Sequence, residues 1–292
     1  NVTRNVKIEG GIWDGQGAET KNTNSVFRFA HASNMAFINC TVQNSFNAHI
    51  IELGGVKGFT AQGCTVRKYS QNDSSLKKEA IQLDICNNKS IMPGTTSDDA
   101  LCSDVLIENC DIVSQEFGWS VKNIAMCKSN VESEYFMMRS EKLDFSEVGL
   151  KGKYSFQYIR DAVFDNCTFD TKDAFWHAEN VTVKNSTIKG EYLAWYSDGL
   201  TLINCRIIGT QPLCYCRNLK LIDCEMEGTD LAFEKSEVQA DILTPVMSIK
   251  NPLSGSIRVP AAGEIILDDP DAKGEILIRN EASGKYGKTV CA

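Results

Sequence analysis

The chain has 292 residues, of which 42% are hydrophobic, and a formal net charge of −8. That length can bury a substantial core in one or two domains, and no apolar run approaches the roughly 20 residues that span a bilayer. The acidic balance argues against a nucleic-acid partner, whose phosphates are held by clustered Lys and Arg, and suits a neutral or cationic one.

The sequence opens Asn1-Val2-Thr3-Arg4, without an initiator Met, a basic n-region or an apolar h-region, and reads as a mature or trimmed fragment. It does not choose between a cytoplasmic and a cell-surface or secreted location. In the N-terminal third, Met35-Ala36-Phe37-Ile38-Asn39-Cys40-Thr41-Val42 returns as Gly58-Phe59-Thr60-Ala61-Gln62-Gly63-Cys64-Thr65-Val66, a repeat of about 24 residues from cysteine to cysteine. Segment 86–104 follows, with Asn87-Asn88, Pro93-Gly94 and Asp98-Asp99; this is turn chemistry without a period, and it predicts a loop excursion.

From 105 a tighter period begins. A small residue recurs at Cys110, Ser129, Val148, Cys167, Ser186, Cys205 and Cys224, an unbroken repeat of about 19 residues. Ile107, Met126, Phe145, Phe164, Val183, Leu202 and Leu221 make one apolar row, and Ile112, Val131, Leu150, Phe169, Ile188, Ile207 and Met226 make another. Alternation within each repeat means strand, and a unit of about 19 residues is too short to contain a helix. The expectation is an all-β, right-handed parallel β-helix of stacked coils, of about 24 residues each N-terminally and about 19 residues from position 104 onward. Asn109, Lys128, Glu147, Asn166, Asn185, Asn204 and Asp223 precede the small row, where Asn and Asp suit a tight left-handed bend and stacked amides can bond along the axis. The cysteines then fill an inward corner as small apolar thiols. Neighbouring coils also bring Cys205 and Cys224 within the separation a disulfide accepts. Residues 244–292, where the register fades, are the expected C-terminal cap of one continuous solenoid.

Two resemblances attach to this frame. Gly10-Gly11-Ile12-Trp13-Asp14-Gly15-Gln16-Gly17, Asn47-Ala48-His49-Ile50-Ile51-Glu52 and Glu79-Ala80-Ile81-Gln82-Leu83-Asp84, within residues 1–95, resemble bacterial surface proteins of the pectate-lyase-like superfamily, related to polygalacturonase-type hydrolases. Lys172-Asp173-Ala174-Phe175-Trp176-His177-Ala178, Gly190-Glu191-Tyr192-Leu193 and Gln211-Pro212-Leu213-Cys214-Tyr215, within residues 104–280, resemble an uncharacterised bacterial β-helix family, a domain of unknown function. Together they imply a mosaic of two solenoids, natural or engineered, which is physically reasonable because coils contact only their neighbours.

Polygalacturonase-like enzymes carry Asn-Thr-Asp, Asp-Asp, Gly-His-Gly and Arg-Ile-Lys elements. The first, third and fourth are absent here, against that chemistry. A partial set remains as catalytic candidates: Glu79 and Asp84 on one strand, His49 and Glu52 on the strand before it, with Asp98 and Asp99 in the adjoining loop. The competing interpretation makes Arg28, Glu52 and Asp84 a ladder of surface charges worth about 0 to 1 kcal/mol each. No oxygen-ligand cluster for a calcium-assisted lyase is evident, and His31 and His177 lack zinc spacing, so neither metal nor cofactor is implied.

Two aromatic rows complete the inventory. Tyr158, His177, Tyr196 and Tyr215 belong to a row also holding Ser120, Arg139 and Glu234; the neighbouring row is Trp119, Met138, Gln157, Trp176, Trp195, Cys214 and Phe233. Alternation predicts the Trp row inward and the Tyr row outward, where the Tyr and His faces could stack on sugar rings or merely pair across strands. Sequons such as Asn39-Cys40-Thr41 and Asn180-Val181-Thr182 are given no role. The sequence therefore predicts a non-catalytic scaffold or binding protein for a polysaccharide or protein partner, contacting glycans through Tyr158, His177, Tyr196 and Tyr215. The alternative is a carbohydrate-active enzyme, a glycoside hydrolase or polysaccharide lyase, using Glu79, Asp84, His49 and Glu52.

Overall fold

The computed structural model describes residues 3–21, 23–70, 78–86, 100–280 and 283–289. Asn87-Asn88, Pro93-Gly94 and the Asp98-Asp99 pair lie outside the described residues. The chain forms two compact units, Asn1–Gly152 and Lys153–Ala292, and each is a parallel β-helix of the kind the repeats predict.

In the first unit, strands Arg4–Glu9, Ser33–Ile38, Lys57–Gln62, Ser103–Glu108, Lys122–Cys127 and Glu141–Ser146 stack in parallel. Ser33 lies beside Arg4, Lys57 beside Ser33, Ser103 beside Lys57, and Lys122 beside Ser103, so the coils take 29, 24, 46 and then 19 residues. The longest of these coils carries strand Ile81–Asp84 and narrows at Cys86 and Ala100, whose backbones exchange hydrogen bonds of 3.0 and 3.3 Å. Another face is built by Phe27–Ala30, Ile51–Gly54 and Ile81–Asp84, with Phe27 opposite Ile51 and Ile51 opposite Ile81.

In the second unit, Arg160 pairs with Glu179, Glu179 with Asp198 and Thr201 with Lys220, each step 19 residues long. Parallel pairing continues past 243: Glu237 lies opposite Ser254 and Ser256 opposite Glu275. The antiparallel strand Tyr286–Thr289 then pairs with Glu275–Arg279.

The periodic rows explain this stacking. Asn109, Lys128, Glu147, Asn166, Asn185, Asn204 and Asp223 all take φ between 49° and 54°, the left-handed bend that sends the chain from one face to the next. Asn204 Nδ2 donates to Asn185 Oδ1 at 3.0 Å, an amide ladder along the axis. In the second unit the next position, Cys167, Ser186, Cys205 and Cys224, forms one buried column, and Ser186 Oγ accepts the Cys167 N–H at 2.9 Å. The eleven described cysteines are free thiols, and all but Cys127 are buried. The apolar rows are equally closed to water: Phe164, Val183 and Leu202 have no exposed surface, and each such side chain contributes about 1.5–3 kcal/mol of burial.

The row expected inward is so at Met138, Cys214 and Phe233, which are buried, and departs from that placement at Gln157 and the tryptophans. Trp176 and Trp195 are only half-buried, whereas Phe156, Phe175, Ala194 and Leu213 beside them have no exposed surface. The reason is backbone geometry. Phe175 and His177 have φ of 61° and 53°, and the segment is a turn, so the alternation of an extended strand does not apply. Each indole instead lies against the next coil, with Trp176 Nε1 donating to the Tyr192 carbonyl at 2.7 Å and Trp195 Nε1 to the Gln211 carbonyl at 2.8 Å.

Candidate functional site

Just ahead of the strands Phe27–Ala30, Ile51–Gly54 and Ile81–Asp84, three chain segments run side by side. The Phe27 N–H donates to the Ile50 carbonyl at 3.0 Å, and the Ile50 N–H to the Glu79 carbonyl at 3.3 Å. These segments wall an open cleft of about 390 Å³. Of its nine described lining residues only Ala48 lacks a polar side chain; Ser25, Arg28, Asn47, His49, Glu52 and Lys78 are among the others.

His49 forms part of this wall and is backed by Glu79; their side chains are 9% and 5% exposed. The Glu79 N–H donates to His49 Nδ1 at 2.9 Å, so Nδ1 presents its lone pair and the ring proton belongs on Nε2. Glu79 Oε2 also approaches Nδ1, at 2.5 Å, and has no other hydrogen-bond partner among the described residues. Burial pushes the Glu79 carboxyl above its ordinary range, His49 opposes this, and the like charges of Glu116 and Asp84 reinforce it. A neutral Glu79 resolves the geometry, because its carboxyl proton can be donated to the same lone pair.

Glu52 lies on the cleft in an ion pair. Arg28 Nε sits 3.0 Å from Glu52 Oε1, with the two residues opposite each other in register, and Ser25 Oγ donates to Glu52 Oε2 at 2.9 Å. The expected charge ladder is thus present for Arg28 and Glu52. Asp84 is apart from it: it lies opposite Gly54, outside the cleft lining, and its Oδ1 accepts the Ile85 N–H at 2.6 Å. Burial raises its carboxyl too. Of the four catalytic candidates, the fold therefore joins His49 to Glu79, sets Glu52 on the same cleft and leaves Asp84 out of the lining but close enough for its charge to act on Glu79. Among the described residues no group of three or more His, Cys, Asp or Glu is placed to hold a metal ion.

Two neighbours escaped the sequence reading. Tyr69 is pushed up to about 12, first by burial and then by the charges of Glu79, Glu134 and Glu116. Glu116 is buried at the start of strand Glu116–Trp119, and Ser114 nearby accepts the Ala80 N–H at 2.9 Å. Glutamate in a run that is otherwise Phe-Gly-Trp was the available signal for Glu116; Tyr69 had none.

In the second unit, Tyr158 and His177 stack at 4.8 Å and 8°, His177 and Tyr196 at 5.1 Å and 9°, and Tyr196 and Tyr215 at 4.8 Å and 13°. The row does face outward, with Tyr158 40% and Tyr196 47% exposed. Its rings lie on one another, however, so the interior rings present edges to solvent rather than the open faces that sugar stacking requires.

Residues 97–278 match the family described as "Protein of unknown function (DUF3737)". The chain belongs to that family. The match includes the aromatic ladder and excludes the described cleft residues, which lie before residue 79. No curated protein matches the sequence. Among solved structures the chain is similar to PfbA, a surface adhesin of Streptococcus pneumoniae, at 14% identity over 99% of this chain and 77% of that one, with a TM-score of 0.47. It is also similar to the Azotobacter vinelandii mannuronan C-5 epimerase AlgE6 A-module, at 10% identity over 94% and 89% of the two chains, with a TM-score of 0.40.

Proposed function

We propose that the protein is a carbohydrate-binding β-helix whose glycan lies in the cleft of the first unit. The polar lining supports this reading: hydroxyl, amide and charged groups from three adjacent coils are the donors and acceptors that a polyhydroxylated ligand needs. A neutral glycan suits the site best. Arg28 already faces Glu52, and the chain as a whole carries a charge of −8. The stacked Tyr158, His177, Tyr196 and Tyr215 are assigned to holding coils together, because their faces are occupied by one another.

A glycan array on the purified protein identifies the ligand, and calorimetry on the Arg28→Ala/Lys78→Ala variant tests the place. Binding weakened by about tenfold or more, about 1.4 kcal/mol, with an unchanged melting temperature is the expected result. Retained affinity in that variant removes the cleft as the binding site.

A further inference from the structure

A binding site needs no buried acid behind its wall, yet the cleft has one. His49 Nδ1 takes the Glu79 N–H at 2.9 Å and lies 2.5 Å from Glu79 Oε2, which has no other partner among the described residues. This arrangement fixes the ring so that Nε2 carries a proton, with a second proton held in reserve on the carboxyl behind it. Glu52, charged against Arg28 and accepting from Ser25, lines the same cleft. One proton donor and one carboxylate acceptor in a single polar cleft are the two groups that hydrolysis of a glycosidic bond requires.

We infer that the cleft hydrolyses a glycosidic bond of a neutral glycan, with His49 as the proton donor, Glu79 as its positioning residue and proton source, and Glu52 as the base. The choice of substrate rests on the carbohydrate-binding reading; the proton relay rests on the His49–Glu79 geometry alone. Water attacks the anomeric carbon and gives its proton to the Glu52 carboxylate. The bond from that carbon to the departing oxygen breaks, and the oxygen takes the Nε2 proton of His49. Nδ1 takes the Glu79 Oε2 proton in the same step, so the ring stays neutral; afterwards Nδ1 hands that proton back to Glu79, Nε2 takes one from solvent, and Glu52 gives its own up to solvent. The net change is one glycoside and one water converted to two sugars, without oxidant or cofactor. The groups facing Glu79 are His49, Glu116 and Asp84, with Tyr69 close by. The carboxylates among them favour a protonated Glu79.

The tests separate this chemistry from binding. Nitrogen-15 NMR of the histidines in the native protein should show the Nε2–H tautomer at His49; an Nδ1–H tautomer overturns the relay. Turnover is then compared between aryl glycosides with good leaving groups (2,4-dinitrophenyl) and alkyl glycosides with poor ones. Glu79→Gln, or His49→Asn should the first variant fail to fold, should lower turnover of the poor leaving groups about 10²-fold or more and spare the good ones to within about tenfold. Equal losses on both make the pair merely structural and sink the proposal. Glycan retention in the cleft without turnover by the wild type also sinks it while leaving the binding reading intact; turnover of aryl glycosides without retention of any arrayed glycan does the reverse.

Discussion

Tyr196 lies face to face with Tyr215, ring centroids 4.8 Å apart and planes inclined by 13°. Its opposite face is covered by His177 at 5.1 Å, so the 47% exposure of Tyr196 comes from the ring edge. Removing this ring breaks two stacked contacts and leaves the cleft of the first unit untouched. Tyr196→Ala should cost about 1–3 kcal/mol in urea unfolding, from about 0.5–1.5 for each aromatic pair, with glycan retention unchanged. Lost retention at unchanged stability would restore the ladder as a binding surface.

Phe175 is fully buried and stacks on Phe156 at 5.0 Å and 16°, with Phe164 and Phe169 around it. Phe175→Ala should cost about 3–5 kcal/mol, the range for emptying a closed aromatic site. Val163, 41% exposed on the adjoining strand, provides the comparison, and Val163→Ala should change the unfolding free energy by less than about 0.5 kcal/mol.

Glu147 occupies the left-handed bend at φ 54°, where the following coil uses Asn166 and the preceding one Lys128. An L side chain without a local hydrogen bond is disfavoured there. Glu147→Asn should raise the unfolding free energy by up to about 1 kcal/mol, read in urea unfolding. A drop would mean that the Glu147 side chain contributes something the bend geometry does not show.

Burial lifts Glu79 above its ordinary value of 4.5, so the folded chain holds this proton more tightly than the unfolded chain does. The stability that comes from neutral Glu79 is complete below 4.5 and is lost as pH rises from there through the folded value. Asp84 is raised by the same cause and acts with the same sign. Glu79→Gln stays neutral throughout and should gain on the wild type as pH rises from about 4 to about 7, followed by urea midpoints. A difference that does not vary with pH would place the titration elsewhere.

The solenoid was legible because its determinants are periodic. Each coil from 105 to 226 spends one residue on a left-handed bend, one on a small inward corner and two on apolar rows, and a period survives whichever side chains fill it. Trp176 and Trp195 depart from the inward row for the same reason in reverse: Phe175 and His177 are left-handed, and no composition signal distinguishes such a turn from a strand. For the cleft, residue types pointed to His49, Glu52 and Glu79, but their company did not. Which of them meet depends on the unequal lengths of the coils from Phe27 to Ile51 and from Ile51 to Ile81, and those lengths become visible only when the strands are in register.

The step from Lys57 to Ser103 shows what such a solenoid permits. Its two strands pair as closely as those of the much shorter coil from Ser103 to Lys122, and the chain is drawn together again at Cys86 and Ala100 before the next coil begins. Closing a longer loop costs only about 0.6 kcal/mol per doubling. The architecture can therefore acquire foreign sequence at this one corner, a whole binding module included, without the flanking turns registering its size. New specificities can be grafted onto an old column.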